Sequence, residues 1–144
     1  MMEHHCVVSA IFEQVDCLPV RFPTRSEDPV SLVKPELRAA LERVRGKAEF
    51  AITYVWNEPL VRETADTGRE FMEKRRAYWA ERRRVEEWAK ALPEGAVVKL
   101  NPNDRVAASV ALLLPRGGTP DVPALAGART VINGPWPPYS FATV

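Results

Sequence analysis

Histidine and cysteine side chains, which could bind a metal or act as base and nucleophile, occur only near the start of this sequence. His4, His5 and Cys6 are adjacent, and Cys17 is the second cysteine. Zinc sites take ligands from spaced pairs, and this chain has no second cluster to complete one. We therefore expect no metal and no cofactor. Apolar residues near Cys17 predict a small buried thiol rather than a nucleophile.

The remaining polar residues do not form a catalytic pattern. The Gly117-Gly118 pair has neither the lysine of a phosphate-binding loop nor the spacing of a dinucleotide site. Carboxylates are plentiful, but none is spaced as an acid and base pair. We expect a protein that is not an enzyme. An enzyme would require Cys17 and a histidine to meet in a pocket.

Two basic runs, at residues 74–76 and 82–84, flank an aromatic pair on one predicted helix. Arginines and aromatic rings together can bind nucleic acid, can anchor a protein interface, or can belong to a solvated helix. The chain has 20 basic and 19 acidic residues, so its net charge of +1 gives no long-range attraction to nucleic acid or anionic lipid. This balance favours the second and third interpretations. The candidate protein-binding residues here are Arg75, Arg76 and Trp79.

The segment from Gly134 to Phe141 combines prolines with large rings, which fixes the backbone and presents the rings at low entropic cost. One interpretation is a rigid plug that packs its rings against a sheet, with a cis bond before Pro137 or Pro138. The other is a preformed docking edge for a partner. The candidate partner-binding residues are Trp136, Pro137, Pro138, Tyr139 and Phe141.

Hydrophobic periodicity predicts the elements that must position these residues. In chain order they are a helix at 3–16, a strand at 17–22, a helix at 31–45 ended by Gly46, a strand at 48–56, a helix at about 66–92, and strands at 96–100, 105–114 and 129–132. The order α-β-α-β-α-β-β-β predicts an α+β fold, with a single mixed or antiparallel sheet and helices packed on one face.

Two of the helices are predicted to bury an apolar stripe. In the first, the stripe has helical spacing, and in the long charged helix it recurs every seven residues. The first stripe consists of Val8, Ile11, Phe12 and Val15, and the second of Phe71, Tyr78, Val85 and Leu92.

Length and composition indicate one domain covering residues 1–144, with a proline-rich closing part at 115–144. No apolar run reaches the roughly 20 residues of a spanning helix. The first residues lack the basic and then apolar pattern of a secretory signal. We therefore expect a cytoplasmic location.

The closing segment resembles the motif with which members of the gas vesicle protein family GvpL/GvpF end, Gly-Pro-Trp-Pro-Pro-Tyr-Ser-Phe. Here the motif is intact at Gly134 to Phe141 and follows Val131-Ile132-Asn133. Other stretches are similar to the family in the same order: Leu18 to Phe22, Gly46 to Glu49, Gly68 to Phe71 with Lys74-Arg75, and Val110 to Arg116.

This resemblance implies a cytosolic, non-catalytic assembly factor or minor structural component of gas vesicles. It implies contacts with the main shell protein GvpA and other accessory proteins, and none with nucleic acid, membrane or a small-molecule substrate. The sequence differs from the family in three respects. It has no counterpart to a further N-terminal α/β region, it has Pro23 where glycine is usual, and its connection at 117–127 is shortened. A nucleic-acid-binding α+β domain, using the helix at 69–90, is the alternative.

Overall fold

A computed structural model describes residues 2–19, 35–59, 67–100 and 105–142, and it has an α+β fold. The three helices of this described part are α1 (Met2–Gln14), α2 (Pro35–Val44) and α3 (Gly68–Ala89). Its four strands are β1 (Lys47–Trp56), β2 (Val97–Lys99), β3 (Val106–Pro115) and β4 (Ala128–Trp136), and a 3₁₀ turn follows at Tyr139–Phe141.

The four strands form one antiparallel sheet in the order β2-β3-β1-β4. In the pair of β2 with β3, Val98 lies opposite Val110. The strand expected at 48–56 is confirmed as β1, and in its second half Ile52, Tyr54 and Trp56 are buried while the residues between them are half-buried. This alternation is expected for a strand that has neighbours on both sides and one face against the core.

The chain divides into two compact units. One consists of the described residues within 1–50, 112–120 and 133–144, and the other of those within 51–111 and 121–132. Strands β1, β3 and β4 therefore contribute residues to both units. Organisation as a single domain over 1–144 stays a prediction.

The core of the second unit is built around Tyr54 and Trp88, whose rings meet edge to face with centroids 4.4 Å apart. The Tyr54 hydroxyl donates a hydrogen bond to the Pro123 carbonyl at 3.0 Å. On α3 the predicted seven-residue stripe is buried only in part, because Val85 is buried but Phe71 is 53% exposed. The stripe thus contacts the core through the second half of the helix.

Two of the predictions made from hydrophobic periodicity are wrong, one for the buried stripe of α1 and one for the start of the strand expected at 17–22. In α1 only Phe12 of the expected stripe is buried, because it lies under the Arg116 guanidinium at 4.1 Å, while Ile11 and Val15 are exposed. Residues 17–19 of the first predicted strand are not in a strand, and residues 20–22 lie outside the described residues. The described elements therefore run α-α-β-α-β-β-β.

The last strand is longer than its sequence pattern suggested. It was expected at Arg129 to Ile132, but β4 extends to Trp136 and so includes the first part of the closing motif. The cis peptide bond is at Gly134-Pro135 and not before Pro137 or Pro138. Proline and glycine obscure a strand in sequence because both are rare within strand interiors.

Stability is expected to fall at alkaline pH because burial raises the pKa of Tyr54 above its ordinary value of 10.0. Burial also raises the pKa of Tyr139. As the pH rises past 10.0, the ordinary pKa of tyrosine, the unfolded chain releases its tyrosine protons before the folded chain does. The free energy of unfolding therefore decreases.

Tyr54→Phe lacks the hydroxyl that donates to Pro123, so its free energy of unfolding at neutral pH should be lower by about 1 kcal/mol. Its free energy of unfolding should also decline less steeply as the pH becomes alkaline. Urea unfolding at neutral pH and above pH ~10 measures both effects. An equally steep decline in wild type and variant would contradict the assignment to Tyr54.

Candidate functional site

The closing segment is held by a buried carboxylate on the central strand β1. Glu49 is only 6% exposed, and its two oxygens accept hydrogen bonds from the Ser140 backbone N–H and from the Ser140 hydroxyl, each at 2.7 Å. These are the short distances of charge-assisted hydrogen bonds, which offset the cost of burying the carboxylate. Glu49 therefore fixes the 3₁₀ turn that ends the described chain.

Two prolines of the motif form a structural plug. Pro137 and Pro138 are among the largest fully buried side chains. Their carbonyls accept hydrogen bonds from the backbone N–H groups of Tyr139, at 2.7 Å, and Phe141, at 3.2 Å. Phe141 is itself half-buried. The buried part of the segment is therefore its two prolines rather than the full set of rings that the plug interpretation expected.

The two other rings of the motif are on the surface. Trp136 is 37% exposed and Tyr139 is 38% exposed. Both rings lie against His5 of α1, with centroids 5.3 Å and 5.8 Å from its ring. Nδ1 of His5 and the Tyr139 hydroxyl share a hydrogen bond at 3.0 Å. The three side chains make an exposed aromatic cluster on an anchored backbone, which we call the closing-segment site.

A half-buried thiol and an ion pair lie in the same unit as this cluster. Burial raises the pKa of Cys17, the Arg116 charge opposes that rise, and the Asp16 charge adds to it. Arg116 pairs with Asp16 at 3.2 Å and donates to the Val15 carbonyl at 3.3 Å. The pKa of Tyr139 is raised by burial and further by Cys17 and Glu49. A thiol that keeps its proton at neutral pH is a poor nucleophile.

A second surface lies on α3, in the other unit, and we call it the α3 groove. It is a shallow depression of about 330 Å³. Two of its apolar residues, Met72 and Trp79, are 49% and 48% exposed. Its lining consists of Met72, Arg75, Arg76, Trp79, Ala80 and Arg83.

The three arginines of the α3 groove differ from the other basic residues of that helix. Within the described residues, Arg75, Arg76 and Arg83 have no ion-pair partner. The remaining basic residues of α3 do pair with carboxylates: Arg69 with Glu73, Lys74 with Glu70, Arg82 with Glu86, and Arg84 with Glu81. The groove therefore combines uncompensated positive charge with exposed apolar surface.

The structure thus separates the residues proposed from sequence into two groups. Trp136 and Tyr139 meet at the closing-segment site, while Arg75, Arg76 and Trp79 share the α3 groove. Two further residues of the closing-segment site, His5 and Glu49, were not predicted as part of it from the sequence. For Glu49 the available signal was its place in the family-like stretch from Gly46.

The described residues contain no group of three histidine, cysteine or acidic side chains placed to hold a metal ion. Among the helices that the structure describes, none has the length and apolar character needed to cross a membrane. One cavity lies between α3 and the sheet, beside Trp56 and Val85, and holds about 10 Å³. That volume accommodates about one water molecule and no substrate.

A family model described as "Gas vesicle synthesis protein GvpL/GvpF" matches residues 1–111. No curated protein sequence matches the chain. Among solved structures, the fold is similar to that of the gas vesicle protein GvpF from Anabaena sp. PCC7120. The TM-score is 0.65 at 14% identity, and the similarity covers 99% of this chain and 74% of that one.

The fold is also similar to that of the gas vesicle protein GvpF from Microcystis aeruginosa, with a TM-score of 0.61 at 16% identity. The similarity covers 98% of this chain and 76% of that chain. At these identities the two structures establish the α+β fold.

Proposed function

Because the chain belongs to the GvpL/GvpF family of gas vesicle synthesis proteins, we propose that it is a non-catalytic assembly factor or minor structural protein of gas vesicles. It binds the apolar main shell protein GvpA and shields its surface until the subunit is incorporated. It also contacts other accessory proteins, and it acts in the cytoplasm, at the growing vesicle. The family match supports the link to gas vesicles, and the two surfaces support a role in protein binding.

The observation that carries this proposal is the contrast within the closing segment. Pro137, Pro138 and the turn held by Glu49 are buried, whereas the rings of Trp136 and Tyr139 are exposed beside them. Tryptophan and tyrosine are common anchors of protein interfaces, and a backbone that is already fixed loses little entropy on binding. We assign the closing-segment site to the shell protein and the α3 groove to a further protein partner.

Co-purification from cells that are making gas vesicles tests the proposal. The tagged full chain should retain the shell protein, and an unrelated tagged protein of similar size should not. Absence of the shell protein from the retained fraction, with the tagged chain folded and abundant, would exclude this function.

Removing either exposed ring should weaken shell-protein binding without unfolding the chain. Trp136→Ala and Tyr139→Ala should each lower the affinity at least tenfold, which corresponds to about 1.4 kcal/mol. Because both rings are partly buried against His5, the free energy of unfolding should fall by about 2 kcal/mol, which leaves the chain folded.

Titration of each variant with purified shell protein, beside urea unfolding, separates the two effects. Phe71→Ala is the matched control, because it removes a 53% exposed ring from α3. It should bind the shell protein as the wild type does. If Phe71→Ala weakened binding as much as Trp136→Ala, the assignment of the closing-segment site would be wrong.

A further inference from the structure

The unpaired arginines of the α3 groove are a surplus of charge that helix α3 itself does not neutralise. The helix contains seven basic and five acidic residues. All five glutamates are already held in ion pairs, the last of them with Lys90 just beyond the helix, at 2.7 Å. No carboxylate lines the groove. Among the described residues, α3 therefore has no acidic group left for Arg75, Arg76 and Arg83.

Trp79, the large ring of the groove, is held in place by its own helix. The Arg82 guanidinium lies over it, 5.5 Å from the ring centroid, and Arg82 is in turn paired with Glu86 at 3.2 Å. The Tyr78 ring meets it edge to face, with centroids 5.7 Å apart. The Trp79 ring is nevertheless exposed. A fixed and exposed tryptophan can anchor a protein partner with little loss of entropy.

The spacing of the groove residues suits a second helix. Met72 and Trp79 are seven positions apart, which is about 10 Å along a helix axis. Arg75 and Arg76 lie between them, and Arg83 follows Trp79 by one turn. An apolar residue at every seventh position, with charged residues beside it, is the pattern by which one helix contacts another. The groove therefore presents an apolar seam bordered only by positive charge.

Phosphate groups can also pair with arginine, but the α3 groove is narrow for a nucleic acid. Duplex DNA carries a negative charge about every 1.7 Å of its length and binds to broad basic surfaces. Here the basic strip is one helix wide, and the five glutamates on the same helix would repel a phosphate backbone. The net charge of +1 adds no attraction at long range. A protein segment with a few carboxylates matches three arginines better.

We propose that the α3 groove binds an acidic amphipathic helix of a partner protein. Two apolar side chains of that helix, seven residues apart, contact Met72 and Trp79. Carboxylates beside them pair with the three groove arginines, whose planar guanidinium groups can each donate two parallel hydrogen bonds to a carboxylate. The inference rests on the proposed function and deepens it, because it gives the chemistry of the further protein partner assigned to this groove.

Binding of a labelled synthetic peptide to the purified full chain, followed by fluorescence anisotropy, tests the inference. The peptide is a helix of about 20 residues, with leucines seven positions apart and glutamates beside each leucine. It should bind the wild type at low salt, and the affinity should fall as salt is added. The same peptide with glutamine in place of every glutamate should bind at least about tenfold more weakly. Equal binding of the two peptides, or no binding of the glutamate peptide, would overturn the inference.

Charge reversal in the groove locates the binding site. Arg75→Glu and Arg83→Glu should each weaken binding of the glutamate peptide at least about tenfold. Arg129→Glu is the matched control, because it changes the net charge equally at an exposed residue of β4, and it should bind as the wild type does. If Arg129→Glu weakened binding as much, the effect would be one of net charge and the inference would fail.

Exchanging the charges of both partners excludes unfolding as the cause of a loss. A peptide with lysine in place of every glutamate should bind the Arg75→Glu and Arg83→Glu double variant more tightly than it binds the wild type. An unfolded variant cannot produce this gain. A lysine peptide that showed no preference for the double variant would contradict the pairing of groove arginines with carboxylates.

Two further measurements separate this inference from its rivals. Binding of duplex DNA at low salt that is tighter than binding of the glutamate peptide, and is lost in Arg75→Glu, would assign the α3 groove to nucleic acid and overturn the inference. Shell-protein titration of Arg75→Glu should match that of the wild type. If Arg75→Glu lost affinity for the shell protein, the groove would belong to the shell protein and the inference would fail. Failure of the peptide to bind, with shell-protein binding intact, would overturn the inference and leave the proposed function standing.

Discussion

Gly134→Ala is expected to lower the free energy of unfolding by about 3 kcal/mol or more, combining backbone strain with overpacking. Gly134 has a φ of 135°, a conformation that side chains other than glycine rarely adopt. A Cβ at this position would lie 2.9 Å from the backbone oxygen of Glu49 and 3.0 Å from Cδ1 of Phe50. Urea unfolding of wild type and variant measures the loss.

Gly46→Ala is the matched control for the contribution of the backbone alone. Gly46 has a φ of 67°, and a Cβ there would have no heavy atom within 4 Å. The free energy of unfolding of Gly46→Ala should therefore fall by only about 1 to 2 kcal/mol, which is the cost of placing alanine in the left-handed conformation. Equal losses in the two variants would show that β4 does not approach β1 as closely as described.

Glu49→Ala is expected to have the second largest effect, also about 3 kcal/mol. It removes two charge-assisted hydrogen bonds and leaves the Ser140 backbone N–H without its buried acceptor. The variant should also bind the shell protein more weakly, because the turn that follows Pro138 is no longer fixed. Urea unfolding and shell-protein titration measure the two effects separately.

Two smaller changes at the same contact resolve its parts. Ser140→Ala removes the hydroxyl donor but keeps the backbone N–H, and it should lose about 1.5 kcal/mol. Glu49→Gln keeps the shape and one acceptor oxygen, so it should lose less than Glu49→Ala. A Glu49→Ala protein as stable as the wild type would contradict the anchoring role of this carboxylate.

The elements that could be predicted from sequence are those whose signal is local. The second half of strand β1 alternates buried and half-buried residues, and its neighbour β3 is apolar throughout except for Ser109. Helix α3 begins at the capping residue Thr67, whose hydroxyl accepts a hydrogen bond from the Glu70 N–H at 3.2 Å. Periodicity and capping depend on residues close in the chain, so sequence shows them directly.

The anchor of the closing segment could not be predicted because it joins residues that are 91 positions apart. A glutamate in an alternating strand indicates a solvent-facing residue unless the distant donor is known, and that donor is Ser140. The contact of His5 with Tyr139 spans 134 positions and is hidden for the same reason. The resemblance to the family marked these stretches without showing that they meet.

Periodicity also fails to say which stripe a fold will cover. The α1 sequence shows apolar residues at helical spacing, yet burial selects Phe12 and leaves Ile11 and Val15 exposed. Phe12 contacts the Arg116 guanidinium, which comes from a distant part of the chain and is not visible in the local pattern. In the closing segment the prolines are buried, whereas two of the rings expected to pack against the sheet are exposed, and the docking edge stays a prediction.

Restoration of gas vesicles in cells that lack this gene tests the central claim most directly. Cells are supplied with the wild-type gene or with the Trp136→Ala and Tyr139→Ala double variant, and vesicles are counted by electron microscopy at matched protein levels. We expect few or no vesicles without the gene, restoration by the wild type, and a marked deficit with the double variant. Full restoration by the double variant would contradict the role of the closing-segment site.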